Sequence, residues 1–175
     1  MDRNRRSSRA GALGSGVVKI CFVCLGNICR SPTAEAVMRH LVKQEGLERQ
    51  IAVASAGTGD WHVGSARDKR SQATGRARGI PLSGTAQQFT AADFARYDYV
   101  VAMDRANRDE LLSMAGNDED RAKVSLLRAF DSEAAPGAEV PDPYYGGPTG
   151  FDVVFDVCDT GCRGLLAHVR REHGI

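Results

Sequence analysis

The chain has almost no net charge. Lys plus Arg number 23 and Asp plus Glu 22 in 175 residues, a formal +1, which removes the reason to expect a nucleic-acid binder or a reader of polyanions. It also lacks any run of about 18 uninterrupted apolar residues, so no segment is expected to span a bilayer. No internal repeat of solenoid length recurs, which sets stacked-repeat architectures aside. A secretory leader has little support. Lys19 interrupts the apolar stretch Val17–Leu25 and no small-residue cleavage site follows, while the Arg5-Arg6 pair alone is thin evidence for a twin-arginine signal. The cysteines are odd in number, five, in a chain too long to need covalent staples. A disulfide framework is therefore not expected, and a reducing cytoplasm is.

What is present is ordinary globular composition, 42% hydrophobic and 26% charged, at a length that suits one domain. Residues 1–16 carry Arg3, Arg5, Arg6 and Arg9 against Asp2 and, after the initiator, only Leu13 as a large aliphatic. They cannot bury enough to offset ordering entropy and are expected to form a flexible arm. Residues 17–175 then form the domain. The abundance of Ala, Arg and Gly suggests a GC-rich bacterial genome.

Val17–Val23 is short, β-branched and nearly all apolar, the pattern of a strand buried on both faces. From Ser31 the period changes. Ala34, Val37, Met38, Leu41 and Val42 mark one face of a helix, with Pro32 in its first turn and Gly46 as its stop. Ile51–Ala54 reads as a second strand and residues 66–79 as a helix. Tyr97–Met103 reads as a third strand, Asp104 as the cap of a helix holding Leu111, Leu112 and Ala115, and Lys123–Leu127 as a fourth strand. Residues 131–150, with four prolines, form a long loop, and long loops in compact domains are usually functional. A final helix over Phe151–Arg171 buries Val154, Val157, Cys158, Gly161, Cys162, Leu165 and Val169, which accounts for two cysteines as small core hydrophobes. The alternation predicts a three-layer α/β fold: a four-stranded parallel sheet with helices on both faces and its site at the carboxyl ends of the strands. A zinc site from Cys21, Cys24, Cys158 and Cys162 is disfavoured, because Cys21 falls inside a strand whose side chains alternate faces.

The segment after the first strand is Cys24-Leu25-Gly26-Asn27-Ile28-Cys29-Arg30-Ser31-Pro32. A Cys and an Arg with five residues between them mean little in isolation; a strand-to-helix loop gives the pair meaning. Such a loop can wrap the N–H groups of Leu25, Gly26, Asn27, Ile28, Cys29 and Arg30 into an anion-binding nest at a helix N-terminus. Gly26 permits backbone angles closed to other residues, and Asn27 tolerates a left-handed conformation. Arg30 offers a planar fork to two oxygens of a tetrahedral oxyanion. Cys24 sits in the same positive field, which favours its thiolate. A nucleophile inside an anion nest describes phosphoryl transfer through a phosphocysteine.

Val23–Pro32 resembles the signature loop of the low-molecular-weight protein tyrosine phosphatases. The resemblance covers nearly all of residues 17–172 and includes Ser55-Ala56-Gly57-Thr58-Gly59-Asp60-Trp61 and Asp142-Pro143-Tyr144-Tyr145-Gly146. It implies that Cys24 is the nucleophile, that Arg30 binds phosphate and that Asp142 is the general acid. It further implies that Ser55 joins Asn27 and Ser31 in bracing the loop, and that Cys29 can form a reversible disulfide with Cys24 as redox protection. Ser31 is placed to donate to the Cys24 sulfur as it leaves. Trp61, Tyr144 and Tyr145 are expected to wall the substrate ring, whereas His62 reads as a solvated surface residue. One departure stands out. Many relatives carry a bracing His after the equivalent of Ile80-Pro81-Leu82-Ser83, where this chain has Gly84. No metal or cofactor is implied, and a monomer acting on phosphotyrosine proteins or small aryl phosphates is expected, without nucleic acid or membrane. The alternative is an arsenate reductase on the same fold. It would need further redox cysteines near the loop, and Cys158 and Cys162 fall instead on the buried stripe of the last helix.

Overall fold

The computed structural model describes residues 16–144, 147 and 149–175. The expected arm over residues 1–16 therefore lies, but for Gly16, outside the described residues. Four strands, β1 (Val18–Cys24), β2 (Ile51–Gly57), β3 (Tyr99–Ala102) and β4 (Val124–Leu126), pair in parallel in the order β2-β1-β3-β4. Among the described residues five helices connect or flank them: α1 (Arg30–Gln44), α2 (Lys69–Ala77), α3 (Arg105–Met114), α4 (Asp118–Ala122) and α5 (Gly150–His173).

The alternation of β1 explains the three layers. Ile20, Phe22 and Cys24 join one core with Val37, Met38 and Leu41 of α1 and Phe155, Cys158 and Leu165 of α5. Cys21 and Val23 point the other way, into a second core with Phe89, Phe94 and Leu111. Side chains of period two thus feed both faces, and every residue from Ile20 to Cys24 is buried. The same alternation separates Cys21 from the other three cysteines, so the four cannot share one zinc ion.

The differences from expectation lie at element ends. β2 runs on to Gly57, where it faces Cys24 in register. β3 starts two residues late because Asp98 is spent on Lys19: its carboxylate accepts the Lys19 N–H at 2.8 Å and its own N–H donates to the Lys19 carbonyl at 2.8 Å. α4 is a single acidic turn capped by Asn117, whose side chain accepts from the Asp120 N–H at 2.8 Å. Between a 3₁₀ turn at Leu127–Phe130 and α5 the described residues form no regular element, in keeping with the prolines. α5 lies tight against that turn because Gly164 has no side chain; a Cβ there would stand 1.8 Å from the Phe130 carbonyl oxygen. No helix among the described residues is long and apolar enough to cross a membrane.

Candidate active site

β1 ends on Cys24 and α1 begins at Arg30, so Leu25–Cys29 is a turn held between a strand carboxyl end and a helix amino end. It forms the floor of a pocket of about 280 Å³ lined by Cys24, Leu25, Gly26, Ile28, Cys29, Arg30, Trp61, His62, Asp142 and Tyr144. β2 tightens the loop from below. Thr58 N–H donates to the Cys24 carbonyl and Gly59 N–H to the Leu25 carbonyl, both at 2.9 Å. Gly57 allows this approach, since a Cβ there would stand 2.6 Å from the Leu25 carbonyl oxygen.

The Cys24 sulfur accepts the Asn27 N–H at 3.3 Å and lies 2.9 Å from the Ser31 hydroxyl. Asn27 is left-handed, with φ of 56°. Its side-chain amide donates to Ser31 Oγ at 2.8 Å and to Ser55 Oγ at 2.9 Å, bringing the three expected bracing residues together. Gly26 differs from expectation: it is not among the left-handed glycines. Its lack of a side chain instead makes room for His62, whose Cδ2 would stand 2.9 Å from a Cβ at position 26. His62 thus lines the pocket while staying partly exposed.

Arg30 is buried, with Nη1 donating to Asp104 Oδ2 at 2.7 Å and to the Val140 carbonyl at 3.2 Å. Burial works against its charge, but the Cys24 sulfur, Asp104 and Asp142 outweigh that and hold its pKa above the usual value. Asp142 reaches the pocket from the long loop. Its Oδ2 lies 3.9 Å from Arg30 Nη2 and its Oδ1 accepts the Tyr144 N–H at 3.0 Å, an Asx turn that aims the carboxyl. Trp61 is exposed at the mouth and Tyr144 is half-exposed opposite the loop, with the Arg70 guanidinium 5.3 Å from the Tyr144 ring centre. Tyr145 lies outside the described residues. The Cys29 thiol is pushed up to about 12, first by burial and then by Asp68, so it is protonated near neutral pH. Cys158 and Cys162 are fully buried free thiols inside α5, both pushed up by burial.

Three residues of the site escaped the sequence. Asp104 was legible only as a helix cap; it does cap α3, accepting the Asn107 N–H at 2.7 Å, and with its other oxygen it orients Arg30. Glu35 is buried beneath the loop, where its carboxylate accepts the Ser55 hydroxyl. Arg67 lies in a polar stretch without periodicity, yet is buried against Asn27. The one available signal was Gly84, the missing brace.

The sequence pattern described as low molecular weight phosphotyrosine protein phosphatase matches residues 19–174. The chain belongs to that family. Among relatives of this low-molecular-weight phosphatase, the low molecular weight protein-tyrosine-phosphatase of Streptomyces coelicolor is 45% identical over 155 residues, covering 88% of this chain and 94% of that protein. The crystal structure of YfkJ from Bacillus subtilis matches with a TM-score of 0.84 at 39% identity, covering 91% of this chain and 98% of that one. A Drosophila arginine phosphatase, DARP, matches with a TM-score of 0.79 at 32% identity over 87% of this chain and 98% of that one. With its phosphatase relatives and its sealed Cys158 and Cys162, the phosphatase does not favour the arsenate reductase alternative.

Proposed function

We propose that the protein hydrolyses phosphotyrosine, and small aryl phosphates, through a phosphocysteine formed on Cys24. The observation that carries this reading is the convergence of Cys24, Arg30 and Asp142 on one pocket from distant parts of the chain. The N–H groups of Leu25–Arg30 and the Arg30 fork hold the phosphate oxygens. The Cys24 sulfur attacks phosphorus, the P–S bond forms and the ester P–O bond breaks. Asp142 gives its proton to the departing oxygen, where charge builds in a loose transition state. In the second step Asp142 takes a proton from water, the water oxygen bonds to phosphorus and the P–S bond breaks, with Ser31 donating to the leaving sulfur. The chain's own groups cover each proton and charge, so EDTA-insensitive turnover fits this scheme.

Two apolar side chains, Leu25 and Ile28, and two aromatic ones, Trp61 and Tyr144, line the pocket. They suit the ring of an aryl ester better than the charged guanidinium of phosphoarginine, the substrate class named for the Drosophila relative. Five free cysteines support a reducing, cytoplasmic setting; we further read the domain as a monomer. Vanadate-sensitive hydrolysis of p-nitrophenyl phosphate and of a phosphotyrosine peptide is expected, lost in Cys24→Ser, with little release from phosphoarginine. Full activity in Cys24→Ser sinks the phosphocysteine, and faster turnover of phosphoarginine reverses the substrate class.

A further inference from the structure

Asn27 is the one non-glycine residue with a positive φ among the described residues. Such a conformation is unfavourable for a residue with a Cβ and persists where its surroundings over-determine it. Its backbone and side-chain oxygens are gripped by a single group. Arg67 Nη1 donates to the Asn27 carbonyl at 2.7 Å and to its Oδ1 at 2.8 Å. Nε donates to the Ser83 carbonyl at 3.1 Å, and Nη2 lies 3.5 Å from both Glu35 Oε2 and Ser55 Oγ. The guanidinium is nearly sealed from solvent, and its Nη2 would stand 3.4 Å from a Cβ at Gly84. Arg67 therefore fills the space into which a side chain at position 84 would project.

We propose that Arg67 is a positioning residue that fixes the phosphate-binding loop by imposing one direction on its hydrogen bonds. This rests on reading the Cys24–Arg30 loop as the catalytic phosphate site. A guanidinium donates and never accepts, so the Asn27 amide must turn Oδ1 toward Arg67, where the Gln87 N–H also meets it at 3.0 Å. Nδ2 must then face Ser31 and Ser55. With Nδ2 donating to its oxygen, the Ser31 hydroxyl keeps its proton for an acceptor, either the Cys24 sulfur at 2.9 Å or the more distant Ala56 carbonyl at 3.3 Å. An imidazole or a hydroxyl in the same place could accept as well as donate and would leave that direction open. Burial lowers the Arg67 pKa, while Glu35 and the Cys24 sulfur act to raise it; an arginine keeps its charge under such opposing pulls. The loop is thus braced by a permanent cation beneath the nucleophile, in addition to the Arg30 fork.

The test compares wild type with Arg67→Met, Arg67→Lys and Arg39→Met by kcat and KM on p-nitrophenyl phosphate, the competitive Ki of inorganic phosphate, and the thermal melt. Arg39 is the control because it also pairs with Glu35, at 2.7 Å, from an exposed position away from Asn27. In a folded Arg67→Met the phosphate Ki is expected to rise about tenfold and kcat to fall. Arg67→Lys should lie between, since an ammonium keeps the charge but not the two-acceptor grip. Arg39→Met should stay within twofold of wild type. If Arg67→Met does not fold, Arg67→Lys carries the comparison. A phosphate Ki within twofold of wild type in an Arg67 variant, or an equal rise in Arg39→Met, overturns the positioning role. Failure of wild type itself to bind phosphate and turn over would instead overturn the functional reading.

Discussion

Asp142 and Arg30 show how little a side chain needs to change its task. Asp142 Oδ2 stands 3.9 Å from Arg30 Nη2, close enough to line the same pocket and too far for a hydrogen bond between them. Arg30 is committed elsewhere, to Asp104 and the Val140 carbonyl. A proton donor matters in proportion to the basicity of the oxygen it serves. Asp142→Asn should therefore lower kcat/KM on phenyl phosphate by about 10²–10³-fold, and much less on p-nitrophenyl phosphate, whose leaving oxygen needs no proton. Equal losses on both esters would show that Asp142 shapes the pocket and does not act as the acid. Cys24, Arg30 and Asp142 were legible because a contiguous loop and an Asp-Pro turn carry them. Asp104 and Arg67 were not: their partners stand 74 and 40 residues away in sequence, and folding alone introduces them.

At the scale of elements, α2 ties the pocket wall to the body of the protein. Asp68 caps it, its carboxylate accepting the Arg70 N–H at 2.8 Å and the Ser71 N–H at 3.4 Å and gripping the Arg70 side chain, while its own N–H donates to the Ile28 carbonyl. Arg70 in turn lies over Tyr144 and Phe151, 4.7 Å from the latter's ring centre. Burial opposes the Asp68 charge, but the hydrogen bonds to Arg70 and Ser71 prevail and hold its carboxyl below the usual range. A depressed folded-state pKa gives stability that is full above the unfolded value of about 3.9 and lost as pH falls through the lower folded value. Asp68→Ala should thus cost about 1 kcal/mol at pH 7 by urea melts, and the gap to wild type should narrow as pH falls below the unfolded value. A gap that persists in acid would assign the cap no electrostatic part. The long elements β1, α1 and α5 were legible because each carries its own periodicity. β4, three residues paired to β3, was legible within a residue at each end as Lys123–Leu127. α4 was not, because it is one polar turn on a cap with no apolar period.

For the whole molecule, the pocket is where separate parts meet. β1 brings Cys24, the end of β2 and the residue after it support the loop through Gly57 and Thr58, the cap of α3 supplies Asp104 for Arg30, and the loop before α5 supplies Asp142. Both hydrophobic cores lie directly beneath, one on each face of the sheet. On the proposed reading a bound oxyanion is held by groups that exist together only in the folded chain, and binding should then raise global stability by mass action. At inorganic phosphate 100 times its Ki the gain is about 2.7 kcal/mol. For a chain of this size that corresponds to a melting shift of about 5–10 °C. Vanadate should produce the same shift at lower concentration, and chloride at matched ionic strength should not. Arg30→Met should lose most of the shift, because one fork no longer joins the anion to Asp104 and Val140. A wild-type melt unmoved by saturating phosphate would mean that the loop is not preformed, and the claim that the fold builds an anion site before substrate arrives would fall with it.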